Sequence, residues 1–575
     1  MNTIRLHFRR LLHFYCTSVL VACTGFGSPL LAQTAPIAQR LSPNTVFYVE
    51  WRGSGSLAGA SQKNHVLQLL HDPAFAAMLT NIASQAQRTA PKNVGPSAAF
   101  LLPDVVSFLD NALAFGIEAN PDATKTAAPD KPVSPFATFL VYDSTGKTDL
   151  IQKWKALSTV GSQTPVDVTK YDFGGTSVEV RTSGKNVTYS AQAANYFLVS
   201  NQKQTLEDLI TRFRGPDAPA TSIVQTAEYG QMRKYVGPEP SLEVFGRIPD
   251  MSQWNATDKN TKPMIQLSRS LHLERIHVIV GALTFDGEVT RFRGAALGDT
   301  SPGGPFDIAG ASSAAFLTQP VVEPGPAFSM TRMNFSAMYQ WLHDAIVSNL
   351  TAQQAASVTA MEGAAQGFLG MSIPDALKLF TGEIGSASFY TEDGTTEQVY
   401  AVAIQKPDSV LRVLRALIGT MIVGEDASSS TTYLDLAYPY RDPKTGLQRR
   451  KFYCVAVTPQ MILAAPRKAM LRQATQRIAP EAADPPPAGV AANPAYAQLR
   501  ARLPEKLSGL SGADIDRIPF DKLAQHFSSQ PAQSGSQQPR EAPQLNLSVI
   551  SRYLHITVSG WWKDSNGVYF DSYVQ

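Results

Sequence analysis

Cysteine is nearly absent: Cys16, Cys23 and Cys454 are the only three in 575 residues. A chain of this length buries a core without covalent staples, so a disulfide framework is not its organising principle. Long apolar runs are also scarce. Beyond the first thirty-odd residues, a stretch such as Leu414 to Val423 falls well short of the ~20 residues that a spanning helix needs. Neither sign of charge dominates, with 50 Lys and Arg against 47 Asp and Glu. A protein that grips phosphate would concentrate its basic residues. The one local cluster, Arg449-Arg450-Lys451, reads as a solvated hairpin face, so no nucleic-acid partner is expected.

Minimal catalytic and metal spacings are missing as well. The sequence holds no Cys-x-x-Cys, no His-Glu-x-x-His and no Gly-x-Ser-x-Gly, which removes the smallest constellations for redox, zinc-protease and serine-hydrolase chemistry. Gly146-Lys147-Thr148 resembles the end of a phosphate loop, but the earlier glycine such a loop requires is Val141. Ser144 to Lys147 and Ser200 to Lys203 give the Ser-x-x-Lys spacing, yet the first reads as a turn and the second as a strand end. Lys444-Thr445-Gly446 follows Asp442-Pro443 and reads as a turn. Cys454 stands alone within Phe452-Tyr453-Cys454-Val455-Ala456-Val457 and is expected to pack as a small hydrophobe. No catalytic residue, metal ligand or cofactor is assigned.

What is present begins with a leader. Arg5, Arg9 and Arg10 precede a mostly apolar run from Leu11 to Ala22, the pattern of a secretory signal. Two processing routes stay open. Leu20-Val21-Ala22-Cys23 fits a lipobox in which Cys23 becomes the lipidated first residue, while Leu30-Leu31-Ala32 fits cleavage before Gln33. An uncleaved anchor is the third, disfavoured by Thr24, Ser28 and Pro29. Export to the periplasm, the outer membrane or the medium is expected, with membrane contact only through a lipid on Cys23.

Blocks then recur in the same order in the two halves. Val66 to Asp72 is echoed by Met338 to Asp344, and Lys155-Ala156-Leu157 by Arg415-Ala416-Leu417. Phe197-Leu198-Val199, with Lys203, Leu206 and Arg212, returns as Ile462-Leu463-Ala464 with Lys468, Leu471 and Arg477. Tyr229 to Arg233 matches Tyr496 to Arg500, Arg247-Ile248-Pro249 matches Arg517-Ile518-Pro519, and Arg275 to Val280 pairs with Ser551 to Val558. Matches in a constant order imply a duplication. The expected layout is a signal peptide over 1–32 (1–22 for a lipoprotein), one module over 40–300, a Pro/Gly-rich linker over 301–326 and a second module over 327–575. Loose loops are expected from Asn120 to Pro135, Ala479 to Pro494 and Ser528 to Pro543.

Within a module, strand and helix periods alternate. Thr45 to Trp51 reads as an opening strand and Phe139 to Tyr142 as another. Leu150, Ile151, Trp154 and Leu157 make one helix face. Ser183-Gly184 and Phe285-Asp286-Gly287-Glu288 are hairpin turns. The fold class read from this is α+β: two tandem related modules, each a mainly antiparallel sheet with helices packed on one face.

Candidate ligand residues are few. His71-Asp72 and His343-Asp344 recur in both halves, but neighbours on a helix point about 100° apart, so each pair is not expected to form a dyad. A cap or a helix-to-strand bond is the expected role, a ligand contact the alternative. His277 and His555 lie among β-branched residues and are expected in the core. Trp561 and Trp562 must point to opposite sheet faces. One is expected in the core; the other covers an inter-module contact or stacks on a sugar or peptide. Tyr433, Tyr438 and Tyr440 belong to the same weighing.

The leader, the opening Leu41-Ser42-Pro43-Asn44-Thr45-Val46-Phe47-Tyr48-Val49, and the strand-helix-tyrosine pattern near Tyr229 and Tyr496 resemble a group of exported bacterial proteins, the domain-of-unknown-function 3352 group. That resemblance implies an extracytoplasmic location and an α+β fold, and it transfers no catalytic residue. The function expected is non-enzymatic binding of an envelope protein, polymer or small ligand, or scaffolding, with the groove between modules as the site. An extracytoplasmic hydrolase with a non-contiguous site and a lipid or envelope-polymer carrier are the alternatives.

Overall fold

The computed structural model describes residues 36–57, 63–78, 107–119, 136–157, 166–184, 186–215, 217, 219–237, 240–248, 261–391, 395–428, 430–441, 446–478, 489–523 and 547–575. The leader with Cys23, the 120–135 and 528–543 loops and residues 479–488 lie outside them.

Among the described residues ten strands form in the first half: β1 (Thr45–Trp51), β2 (Leu113–Ala119), β3 (Phe136–Asp143), β4 (Asp167–Phe173), β5 (Thr176–Ser183), β6 (Asn186–Ala193), β7 (Tyr196–Ser200), β8 (Leu242–Arg247), β9 (Ile276–Asp286) and β10 (Val289–Gly298). Tight turns set the hairpins. Gly184 ends β5 and Gly287 ends β9, both at positive φ, where a side chain would clash with its own backbone. Helices α1 (His65–His71), α2 (Thr148–Leu157), α3 (Lys203–Phe213), α4 (Ala227–Val236) and α5 (Thr261–Ser270) connect them.

The second half supplies β11 (Ala327–Arg332), β12 (Phe380–Tyr390), β13 (Thr396–Ile404), β14 (Ile422–Ser428), β15 (Thr431–Arg441), β16 (Gln448–Val457), β17 (Met461–Ala465), β18 (Gly509–Asp514), β19 (Ile556–Lys563) and β20 (Gly567–Val574). Its helices are α6 (Gln319–Val322), α7 (Phe335–Val347), α8 (Ala352–Leu369), α9 (Ile373–Leu377), α10 (Pro407–Ile418), α11 (Lys468–Ile478) and α12 (Pro494–Arg500).

All these strands join one antiparallel 20-stranded sheet, so the fold is α+β. From the middle outward the first half runs β10-β9-β8-β1-β2-β3-β7-β6-β5-β4. The second runs β20-β19-β18-β11-β12-β13-β17-β16-β15-β14, the same order of places. The β10–β20 pair joins them, which leaves β4 and β14 at the outer ends.

Helices cover both faces of the sheet rather than one. Tyr48, Val141 and Leu198 pack under α3 and α4, with Leu206, Ile210 and Met232. On the reverse face Trp51 and Leu242 pack under α1, and Tyr142 and Val199 under α2. The second half repeats this. Phe328, Ala401 and Leu463 lie beneath α6, α11 and α12, whereas Ile404, Leu434 and Val455 lie beneath α10. The expectation of a single covered face fails because most strands bury apolar side chains at both parities; β9, for instance, buries Val278 and Val280 on one face and packs Leu283 and Phe285 on the other. The segment read as a linker contributes α6, whose Val321 and Val322 are fully buried in the second half's core.

Contacts across the middle are reciprocal. Arg293 on β10 lies directly opposite Asp571 on β20, 278 positions later, with Nε to Oδ1 at 3.0 Å. On the reverse face Phe292 meets Phe570, ring centres 6.0 Å apart. Next to the seam, α1 of the first half docks on residues 547–554 of the second, burying Leu69 and Val549. On the other side α7 docks on the end of α5, where Trp341 Nε1 donates to Leu271 O at 2.9 Å.

Candidate ligand-binding face

His71 closes α1, is exposed, and places Nδ1 2.6 Å from Leu67 O. Its neighbour Asp72 is buried and caps the following helical turn, accepting from Ala74 N at 2.6 Å and from the Tyr553 hydroxyl at 3.0 Å. That is a capping role. His343 sits inside α7 and does contact its neighbour, Nδ1 to Asp344 Oδ1 at 3.2 Å, contrary to the expectation from helical spacing. The Cβ directions still diverge; the side-chain torsions bring the ring and the carboxylate together over the helix surface. Nε2 reaches Glu362 on α8 at 3.2 Å, and the ring stacks on Tyr339. These contacts hold α8 to α7.

His277 and His555 are not core residues. His277 is exposed, and His555, just before β19, places Nδ1 3.0 Å from Asp516. His277 stands at the start of β9 in solvent, whereas His555 is partly exposed and meets the His65 ring of α1 edge-on, ring centres 5.6 Å apart. Cys454 is buried, with its thiol pushed up to about 11 by burial and by Asp435, to which Sγ donates at 3.3 Å. Lys147, from the loop-like Gly-Lys-Thr, pairs with Asp110 at 2.7 Å. Trp561 and Trp562 do part to opposite faces. Trp562 stacks on Tyr569 at 5.5 Å and packs against the cores of both halves.

The most perturbed carboxyl among the described residues, that of Glu50, lies in the first half. Glu50 on β1 stands directly opposite Glu243 on β8, and both are buried. Glu50 accepts from Ile37 N and Ala38 N, each at 2.9 Å, so the turn Ile37–Arg40 is fastened to it. Burial, then the nearby Glu243 charge, lifts its carboxyl to about 7. Glu243 accepts from the Tyr48 and Tyr229 hydroxyls and has Arg233 at 2.6 Å. The Tyr229 hydroxyl is pushed up to about 12 by burial and the Glu243 charge. Every polar contact of this cluster is internal to the fold.

At the matching register in the second half, Met330 on β11 faces Leu510 on β18, both buried. Tyr496 donates instead to Glu323, and Arg500 to Pro504 O. Among the described residues of the second half three carboxylates are buried, Glu383, Asp514 and Asp571; Glu383 on β12 pairs with Arg332 at 2.9 Å and accepts from Thr318 N at 2.6 Å.

The reverse face differs in the opposite sense. In the first half the row Phe115, Val49, Val244 and Gly281 crosses β2, β1, β8 and β9, and its two valines pack into the core beneath α1. In the second half the same row is Ser386, Ser329, Ser511, Ser559 and Ser572, one serine on each of β12, β11, β18, β19 and β20, each opposite the next. With strands about 4.8 Å apart, the row spans roughly 19 Å. Ser329 is exposed and the other four are partly exposed. Ser559 and Ser572 share a hydrogen bond of 2.7 Å.

Aromatic rings bound the serines. Tyr400, 40 % exposed, pairs with Ser386 at one end, and Phe292, 38 % exposed, with Ser572 at the other. Trp561, two residues beyond Ser559, lays its five-membered ring on Gly509. A Cβ there would sit 1.8 Å from the indole nitrogen, so only glycine lets the ring lie on the sheet. The flanking rows, Ser388-Ala327-Ala513-Thr557-Val574 and Ile384-Thr331-Gly509-Trp561-Phe570, carry no formal charge. Among the described residues, α7 follows β11 as α1 follows β1, but it packs on α5 and α9 rather than into a core cluster over these serines.

Of the residues singled out from sequence, the structure brings only Trp561 to this face, and it does not bring His71 and His343 together. The serines went unnoticed because a lone serine at alternate positions of a strand is commonplace; only the register aligns them.

No family model matches the chain, and no curated protein does. Two solved structures of TP0453, crystal forms III and I, share 10 % identity over 47 % of this chain and 82 % and 81 % of theirs. Their TM-scores are 0.23 and 0.21.

Proposed function

We propose that this is an exported protein built by duplication of one α+β unit, and that it acts without catalysis, seating an extended, uncharged ligand on the open sheet face of its second half. The serine row carries the reading. A row whose valines pack beneath α1 in one half, and that is hydroxyl-bearing in the other, with Ser329 exposed and no core cluster over it, has lost its packing role there. The identical strand order about β10–β20 supports the duplication. The leader and the resemblance to exported envelope proteins support the location. Against catalysis stands the placement of the most buried acid groups: the carboxyls of Glu50, Glu243 and Glu383 are bonded within the fold.

The test places a photo-crosslinking side chain at position 329, or at position 423 on β14 as an exposed control, in the full chain expressed in cells. Adducts at 329 with none at 423 are expected. Equal labelling, or none at 329, would remove the face from consideration. Fractionation of a Cys23→Ala chain tests the anchor; unchanged membrane retention rules out a lipid on Cys23.

A further inference from the structure

The open face also specifies what kind of ligand fits it, an inference that rests on the binding role proposed above. We infer that the ligand is a neutral polysaccharide strand lying across β12, β11, β18, β19 and β20, perpendicular to the strands, with one sugar ring stacked on Trp561.

Three independent features converge on that chemistry. The first is donor and acceptor type. A hydroxyl both donates and accepts, so a line of serines matches a ligand that itself presents hydroxyls at a regular spacing. An extended peptide bound by strand addition would instead need a free strand edge, and β11, β18, β19 and β20 all have partners on both sides. The second is charge. Neither the serine row nor the rows beside it carry a charged side chain, so an anionic polymer or a phosphorylated headgroup would find no counter-charge on the floor. The third is the indole. Trp561 lies against the sheet at a glycine that admits it and remains partly exposed, an arrangement suited to the apolar face of a pyranose ring. A lipid chain would be poorly served, since burying serine hydroxyls against hydrocarbon leaves them without partners.

Direction follows from the same register. The hydroxyls repeat from strand to strand at about 4.8 Å, so a polymer running along the row meets a new serine at each strand, whereas one running along β19 meets Thr557, Ser559 and Trp561 and then the charge of Lys563. Tyr400 and Phe292 stand at the two ends of the row.

The experiment uses the mature full chain and isothermal titration with neutral oligosaccharides, hexamers of β-1,4-linked glucose and of N-acetylglucosamine, with a polygalacturonate hexamer as the anionic probe. Binding of a neutral hexamer is expected, weakened at least tenfold by Trp561→Ala and by Ser511→Val with Ser559→Val, and insensitive to salt. Melting temperatures of both variants check the fold, and Phe452→Ser, at an exposed site on β16, serves as the unaffected control. Binding unchanged in both variants would overturn the site, and salt-sensitive preference for polygalacturonate would overturn the neutral class. If no hexamer binds while position 329 still crosslinks in cells, the sugar assignment falls and the binding face stands. If position 329 is also silent, both fall.

Discussion

On β1 and β8 a carboxylate faces a carboxylate beneath α3 and α4; at the same places on β11 and β18, methionine faces leucine. Turn the sheet over and the contrast inverts, with valine against valine in the first half and serine against serine in the second. The backbone ladder is the same throughout, so the strand geometry is indifferent to which side is polar. Covering partners decide. Glu243 is tolerable in the interior because Tyr48, Tyr229 and Arg233 reach it, and Glu50 because two amides do. Val49 and Val244 are stabilising because α1 lies on them.

The comparison can be broken most forcefully by transplanting the carboxylates. Met330→Glu with Leu510→Glu places two acids where Arg500 and Tyr496 are engaged elsewhere, and should cost on the order of 5 kcal/mol or unfold the chain outright. The reciprocal change, Glu50→Met with Glu243→Leu, should cost less, on the order of 3 kcal/mol, since it strands the buried donors of Ile37, Ala38 and Tyr48 but leaves Arg233 able to reach solvent. Urea titrations of both read the difference; similar losses would mean the two sites are not interchangeable environments.

Acidity sharpens the same contrast. Glu50 titrates near 7 in the fold against 4.5 unperturbed. The folded chain therefore holds the proton more tightly than the unfolded one. Its contribution is fully present below about 4.5 and is lost as pH rises through about 7, a loss of about 3 kcal/mol. Glu50→Gln should flatten that slope between pH 5 and pH 8. A slope unaltered by the substitution would assign it to other groups.

A smaller effect is expected at the seam. Asp571, its carboxyl raised by burial despite two arginines, joins the halves through Arg291 and Arg293. Asp571→Asn should cost about 2 kcal/mol, and Asp571→Arg more, with partial rescue by Arg293→Asp. Absence of any rescue in the double variant would deny that the pair acts directly. Smallest of all is the hydroxyl exchange. Val244→Ser should cost about 2 kcal/mol, whereas Ser511→Val should change stability by no more than about 0.5 kcal/mol. Equal costs would show that the serine face is as tightly packed as its counterpart.

Much of the framework was legible in the chain. Thr45 to Trp51 is a strand because β-branched and aromatic residues fill nearly all of it, and Leu150, Ile151 and Trp154 mark α2 by their helical spacing. The turn at Asp286-Gly287 needed only its glycine. Helices on both faces were not legible, because a strand covered on two sides loses the alternation that would report it. The 18-residue α8 also went unread. Its inward positions Ala355, Val358, Glu362, Ala365 and Leu369 are too mixed to form an apolar stripe. The candidate site fared worst. Ser329 and Ser572 come from opposite ends of the second half, and Glu50 and Glu243 from opposite ends of the first. Each residue is ordinary alone, and their meeting is a property of strand pairing that no local pattern records.

The position of β20 carries a last consequence. It is the final strand of the sequence, yet it occupies the middle of the sheet, hydrogen-bonded to β10 on one side and β19 on the other. During synthesis the first half therefore waits with an unprotected β10 border until the distant β20 has emerged. A chain shortened by a single strand at its end would not simply lose a tail. It would open the centre of the molecule and expose the β10 and β19 borders, two rows of unpaired backbone groups of the kind that recruit neighbouring molecules.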